Sequence, residues 1–350
     1  MRFGLFGGVA RTAEVAGDSQ TYGTFIDYVV EAEALGFESL FLVEHHFTGD
    51  GQLSASLTLL SYLAGITSTM RLGTAVTVMP WHNPVLLTEQ AALVDLVSNG
   101  RLEMGVGRGY RPNEFHGFCI DPSEAQARFE EAVDLLVKGW TSEERFSHEG
   151  AFWKFRDIVV EPQPVQRPHP PLWVAAGSEA SIRDAAAKGR RVLLDQFGDM
   201  DLTRQRVAWY HDQLDREGRR PEDGCIAVTR GLLLLKDNDP AHREDEIRKR
   251  LDVIAAIKAS AQIPGSAPEQ PAGSFVNDSR EATESAAIIG PPEECIARLK
   301  QLQSFGVDHV LLNDPWGGVD RLRLFAKTVM PAFRQDQILV DTAERARARA

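Results

Sequence analysis

Apolar residues recur along the chain in two alternating rhythms. Short, nearly continuous runs of Val, Leu, Ile and Phe predict buried strands at residues 2–6, 39–43, 71–78, 102–106, 172–176, 191–195, 226–234 and 307–312. Between them, apolar positions spaced three and four apart predict helices over 22–35, 56–68, 85–98, 123–140, 178–188, 203–217, 242–259 and 292–305, with a last one over 319–333. Gly36, Gly100, Gly189 and Gly306 each stand between a helix and the next strand, where a left-handed C-cap is expected. Eight strand–helix units make a (β/α)8 TIM barrel the expected fold, with a doubly wound sheet as the competing architecture.

Two stretches interrupt the alternation. Residues 142–155 read as an inserted hairpin turning at Glu149-Gly150. Residues 259–289 are rich in Pro, Gly, Ser and Ala without apolar periodicity, and read as a long lid loop. No internal repeat stands out, so residues 1–333 are expected to form a single domain, followed by a charged, alanine-rich tail over 334–350.

Composition narrows the function. The 350 residues are 43% hydrophobic and 25% charged, which suits a globular chain with a sizeable core. A formal net charge of −12 makes nucleic acid a poor partner, because phosphate binding needs clustered Lys and Arg. No apolar run approaches the roughly 18 residues that a membrane span needs. Three scattered cysteines, Cys119, Cys225 and Cys295, suit a reducing cytoplasm better than a disulfide framework or a zinc site. Nothing pairs Cys119 with a base, and a buried, inert thiol is expected there.

The most informative segment is Gly36-Phe-Glu-Ser-Leu-Phe-Leu-Val-Glu-His-His-Phe47, an apolar strand ending in three ionisable residues. The carboxyl ends of barrel strands carry chemistry, so Glu44, His45 and His46 mark a candidate active site. Side chains alternate along a strand, which puts His45 with Phe41 and Val43 and sends Glu44 and His46 the other way. Adjacent histidines that point apart chelate a metal poorly. A near-neutral imidazole serves better as a general base, while a purely structural polar cluster is the plainer alternative.

Three further segments end strands. Trp81-His82-Asn83, held between Pro80 and Pro84, is either a sterically fixed turn or a loop suited to a planar ligand. Gly105, Gly107 and Gly109 do not have dinucleotide-fold spacing, and Pro112-Asn113 are expected to block the immediate helix that such a fold requires. These glycines are instead expected to admit a bulky ligand, with Arg108 as an anion clamp or simply a solvated side chain. At Gly177-Ser178 a strand meets a helix, where Ser178 caps the helix or its free amides hold an anion. Phe6, Trp81, Phe115, Phe197 and Trp316 are candidate walls of an apolar pocket, although most aromatics are core.

Taken in order, these segments, together with Gly290-Pro-Pro-Glu-Glu-Cys-Ile296 and Val329-Met-Pro331, resemble the bacterial luciferase-like, flavin-dependent monooxygenase family, and its luciferase-type branch in particular. The resemblance implies a barrel that takes reduced FMN from a separate flavin reductase and reacts it with O2. The resulting C4a-peroxyflavin oxygenates a small or medium apolar organic substrate. It implies His45 as the catalytic histidine with Glu44 as its acidic neighbour, and a cis peptide at Ala75-Val76 beside the isoalloxazine. It implies a cofactor phosphate side built from Arg108, Tyr110, Ala176, Gly177 and Ser178, with Arg128 as a further phosphate contact. At Gly107 the luciferases themselves carry a reactive cysteine. Glycine there is expected to widen the space beside the ring and to argue against light emission with a long-chain aldehyde. Relatives pair through helices beside the early strands, so a homodimer is expected. Deazaflavin-dependent hydride transfer on the same barrel and non-catalytic flavin binding are the alternatives.

Overall fold

The computed structural model describes residues 1–9, 17–220, 226–266, 279–314 and 318–333. Its strands are β1 Arg2–Gly7, β2 Ser39–Leu42, β3 Arg71–Thr74, β4 Thr77–Val78, β5 Leu102–Gly107, β6 Phe146–Glu149, β7 Lys154–Ile158, β8 Leu172–Ala175, β9 Arg191–Leu194, β10 Ile226–Leu234, β11 Ile288–Gly290 and β12 His309–Asn313. Its helices are α1 Asp18–Leu35, α2 Ser56–Ile66, α3 Pro84–Val97, α4 Pro112–Gly117, α5 Ala125–Thr141, α6 Glu179–Ala187, α7 Met200–Arg216, α8 Pro240–Ser260, α9 Arg280–Ala286, α10 Pro292–Ser304 and α11 Gly318–Thr328.

Parallel pairing runs β1–β2–β3/β4–β5–β8–β9–β10–β12 and returns from β12 to β1, closing an eight-stave barrel. The doubly wound alternative is thereby excluded. Left-handed glycines end the helices where expected, with φ of 91° at Gly36, 78° at Gly100, 67° at Gly189 and 98° at Gly306. Asn83 caps α3 by accepting the Val85 and Leu86 amides at 3.0 and 3.2 Å, with Pro84 in the first turn.

The barrel interior is filled. Phe41, Trp173, Leu193, Ala227 and Leu311 point inward as an apolar plug, and the residues on the other strand faces join the larger layer under the helices. Phe41 and Trp173 meet edge to face at 5.8 Å, and deleting either ring would cost about 3–5 kcal/mol. Below the plug, at the amino end, Glu103 accepts from Trp173 Nε1 at 2.6 Å, from Arg191 at 3.4 Å and from Arg71. Ser39 Oγ lies 2.9 Å from His309 Nε2 beside them. Above the plug, Phe6, Ala75 and Val76 pack on it and form the floor of the barrel mouth.

Four elements depart from the sequence reading. The strand expected over 71–78 is broken after Thr74 by a cis Ala75-Val76 peptide, and its two halves pair separately with β5. Pro112 begins a helix instead of blocking one, because the first helical position needs no N–H and favours proline's φ. The hairpin β6–β7 is present, but its second strand extends to Ile158. Within the span read as a lid, α8 runs on to Ser260, and α9 and β11 occupy 280–290. Strand β11 extends the wall of β10 beyond the barrel by pairing Ile288 with Leu232. The central part of that lid, 267–278, lies outside the described residues, as do the tail 334–350, Cys225 and Trp316.

Candidate active site

Glu44 follows β2 and is 3% exposed. Its Oε1 accepts from His46 Nε2 at 3.1 Å and from His82 Nε2 at 2.8 Å, and Oε2 receives the Val78 amide at 3.4 Å. Burial pushes the Glu44 carboxyl up, but the hydrogen bonds from His46 and His82 outweigh it and hold the group below its ordinary range. The carboxylate is therefore charged and fixes two histidines from two different loops. His45 turns the other way, as strand alternation requires. Its Nδ1 donates to Glu114 Oε1 at 3.2 Å, and the same oxygen accepts the His46 amide at 3.0 Å.

Glu114 sits on α4 and is 1% exposed. With Nδ1 committed to it, Nε2 is the ring nitrogen left for chemistry. Burial, aided by the nearby Arg111, pushes the His45 imidazole below its ordinary value against the pull of Glu114 and Glu44. At neutral pH the ring is accordingly a neutral base, oriented by a carboxylate. Asn113 Nδ2 closes the arrangement by donating to the His46 carbonyl at 3.2 Å. Trp81 stacks on Phe118 with centroids 5.1 Å apart and meets Phe115 edge-on at 4.6 Å, forming an aromatic wall beside these groups.

The β5 glycines do something other than the sequence suggests. A Cβ on Gly107 would come 2.5 Å from Val76 Cγ2, and one on Gly105 would come 1.8 Å from the Thr74 carbonyl. They admit the broken β3–β4 stave, so Gly107 does not widen a space: Val76 fills it. Arg108, directly after β5, is exposed, and its guanidinium reaches the neutral Gln126 side chain at 3.4 Å. Two residues further along α5, Arg128 pairs with Glu124 at 2.9 Å and lies 4.5 Å over the Phe152 ring of the inserted hairpin. Tyr110 is exposed beside Arg111, with its hydroxyl 3.5 Å from Nε of that buried arginine.

On the neighbouring stave, Ala176 is buried, Gly177 is half-buried and Ser178 is exposed. Ser178 caps α6 in a reciprocal box with Ser181. The Gly177 carbonyl is pinned by Arg206 Nε at 2.9 Å, and Arg206 also binds Asp195 at 2.8 Å. The structure thus groups Glu44 and His45 at the end of β2 and Ala75, Val76 and Gly107 on the mouth floor; Arg108 and Tyr110 follow β5, Ala176–Ser178 follow the adjacent β8, and Arg128 stands apart on α5 against Glu124 and Phe152. Cys119 is exposed, not buried, because it follows α4 in a left-handed surface turn at φ 55°.

Sequence reasoning passes over Glu114, the orienting role of His82, and the pair Arg206–Asp195. Asn-Glu directly after Pro112 is the signal for Glu114 once proline is read as a helix start. Among the described residues no group of His, Cys, Asp and Glu is arranged to hold a metal ion, and no helix is long and apolar enough to cross a membrane.

The sequence model of the luciferase-like monooxygenase family matches residues 1–309. An uncharacterised protein of Sinorhizobium fredii is 36% identical over 174 residues, so the match spans 50% of this chain and only about half (49%) of that protein. The oxygenase component of a flavin-dependent trigonelline monooxygenase from Acinetobacter baylyi is 27% identical over 363 aligned positions, 97% of each chain. Among solved structures, the monooxygenase RslO1 of Streptomyces bottropensis superposes with a TM-score of 0.83 at 26% identity, over 95% of this chain and 100% of that one.

Proposed function

The chain belongs to the luciferase-like monooxygenase family, and from that premise we propose that it is the oxygenase of a two-component system, using reduced FMN and O2 to oxygenate a small or medium organic substrate. The observation that carries this reading is the His45–Glu114 pair, a neutral, carboxylate-oriented imidazole at the rim of an apolar floor made by Phe6, Ala75 and Val76. That floor suits a flat tricyclic ring. Arg108, exposed and hydrogen-bonded to the neutral amide of Gln126, suits the phosphate, with Tyr110, Arg128, Ala176, Gly177 and Ser178 beside it. The residues therefore fit the cofactor. Reduced FMN supplies the two electrons that activate O2, and the protein supplies position, proton control and exclusion of water.

In this reading His45 Nε2 takes and returns the proton that oxygen transfer moves, and Glu114 holds the ring in the tautomer that leaves Nε2 free. Glu44 stays ionised and fixes His46 and His82, which keeps the β2 and β4 loops in register with the floor. A separate flavin reductase supplies the reduced cofactor, as the designation of the Acinetobacter relative as an oxygenase component suggests. Tyr62 and Ile66 on α2, and Leu86, Leu93 and Val97 on α3, are large exposed apolar side chains on two packed helices, and they support a homodimer through that face. The cytoplasm is the compartment where such a reductase and reduced thiols occur together.

The test is anaerobic titration of the protein into photoreduced FMN, followed by mixing with oxygenated buffer. Saturable binding is expected, with a delay in the return of oxidised-flavin absorbance relative to free reduced FMN. Reoxidation at the free rate with no binding defeats the proposal. Anaerobic turnover with a reduced deazaflavin would move the protein to hydride transfer, and tight flavin binding without any turnover would make it a flavin carrier.

A further inference from the structure

Gly231 lies near the mouth end of β10, four residues past the inward-facing Ala227 and therefore on the same inner face. A Cβ placed on it would come 3.1 Å from Arg250 Cζ, so the guanidinium of Arg250, carried by α8, lies across the inner rim of the barrel. Arg250 is 3% exposed and hydrogen-bonds the neutral side-chain carbonyl of Gln196. Its Nη1 is buried without a hydrogen-bond partner. The carboxylate nearest in electrostatic effect, Asp314, is bound at 3.0 Å by Arg321, which also holds Glu246 at 2.8 Å.

Thr283 of α9, 5% exposed, presents a second buried polar atom without a partner, its Oγ1. Arg250, Thr283, Gln196, Phe197 and Gly231 all line one small cavity of about 10 Å³, room for a single water-sized atom. The hydrogen-bond partner of this buried guanidinium is neutral, and the one carboxylate that acts on it, Asp314, is shared with Arg321. Two unpartnered polar groups on residues that line one atom-sized gap match one oxygen of a carboxylate, with the aromatic ring of Phe197 alongside for the apolar remainder of the molecule.

We propose that Arg250 and Thr283 form a carboxylate-binding subsite on the rim of the mouth, so that the organic substrate of this enzyme carries a carboxylate. Arg250 supplies charge and one N–H, Thr283 supplies a hydroxyl, and the anchored acid leaves the rest of the substrate over the mouth. Assignment of the bound acid as substrate rests on the oxygenase reading above, whereas the anion site itself does not.

The test uses the flavin-free protein and sodium formate, the smallest carboxylate, with formamide as neutral control and sodium chloride at matched ionic strength as salt control. Formate is expected to raise the melting temperature saturably, with formamide and chloride flat. Arg250→Met should weaken the apparent formate affinity by roughly tenfold or more, the loss of a charge-assisted hydrogen bond. Thr283→Val should weaken it a few-fold, and decides the question if Arg250→Met fails to fold. Reduced-FMN binding should be unchanged in Thr283→Val. A formate response no larger than that of chloride, or one that survives in both variants, overturns the subsite. Loss of FMN binding in the wild-type protein with the formate response intact would instead overturn the oxygenase reading alone.

Discussion

The Nδ1 proton of His45 belongs to Glu114, and this one contact at 3.2 Å decides which nitrogen of the ring faces chemistry. Replacing His45 by Ala is expected to lower kcat by about 10²–10⁴, the usual contribution of a positioned acid–base group. Reduced-FMN affinity should stay within a few-fold, as measured by anaerobic fluorescence titration. A large affinity loss with normal turnover would reverse the assignment. Because burial depresses the imidazole, the basic form appears as pH rises through a value below the ordinary 6.5. The acidic limb of kcat/KM against pH should therefore fall below that value. Glu114→Gln removes a group that pulls the value up, and should move the limb lower still while slowing turnover. His45 and Glu44 are legible in the sequence because charge at the end of an apolar strand is anomalous there. Glu114 is not, because its partner lies 69 positions away and its local signal shows only once Pro112 is read as a helix start.

Among the staves, β5 and β8 stand side by side and end in Arg108 and in the capped start of α6. Arg108→Ala should weaken reduced-FMN binding by roughly 10- to 100-fold, the loss of a charge-assisted phosphate contact, with kcat at saturating flavin little changed. Unchanged affinity would place the phosphate elsewhere. The packed pair α2–α3 makes a separate prediction. Leu93→Glu, on the exposed face with Leu86 and Val97, should convert a dimer to a monomer in analytical ultracentrifugation, and a species unchanged in mass would remove that face from assembly. All eight staves are legible because each is a short, largely apolar run that alternates with a helical period. The break at Ala75-Val76 is invisible to hydrophobicity, since Thr-Ala-Val-Thr-Val reads as one strand; the resemblance to luciferases marks it instead. Helix α4 is hidden by reading Pro112 as a barrier, and β11 is too short to show a period.

Across the barrel from end to end, Glu103, Arg71, Ser39 and His309 line an open hollow of about 380 Å³ at the amino side, and the proposed chemistry lies at the other side. His309 is buried near Arg2 and Arg191, and burial first, then those charges, hold its value well below the 6.5 of an exposed histidine. Between that depressed value and about 6.5 the unfolded chain binds the extra proton and the folded one does not. Stability therefore rises with pH through this interval and is lost as pH falls. Urea midpoints measured from about pH 7 down to pH 5 should drop, and His309→Gln should flatten the slope; an unaltered slope would assign it to other groups. The functional proposal stands or falls on a reduced flavin lying on the Ala75-Val76 floor with His45 at its reacting edge, which a crystal structure of the protein with FMN would reveal outright. Expected are the ring system against Ala75, Val76 and Gly107, the phosphate at Arg108 and Ser178, and Nε2 of His45 turned toward the ring. FMN bound away from the mouth, or His45 facing away from it, would contradict the proposal.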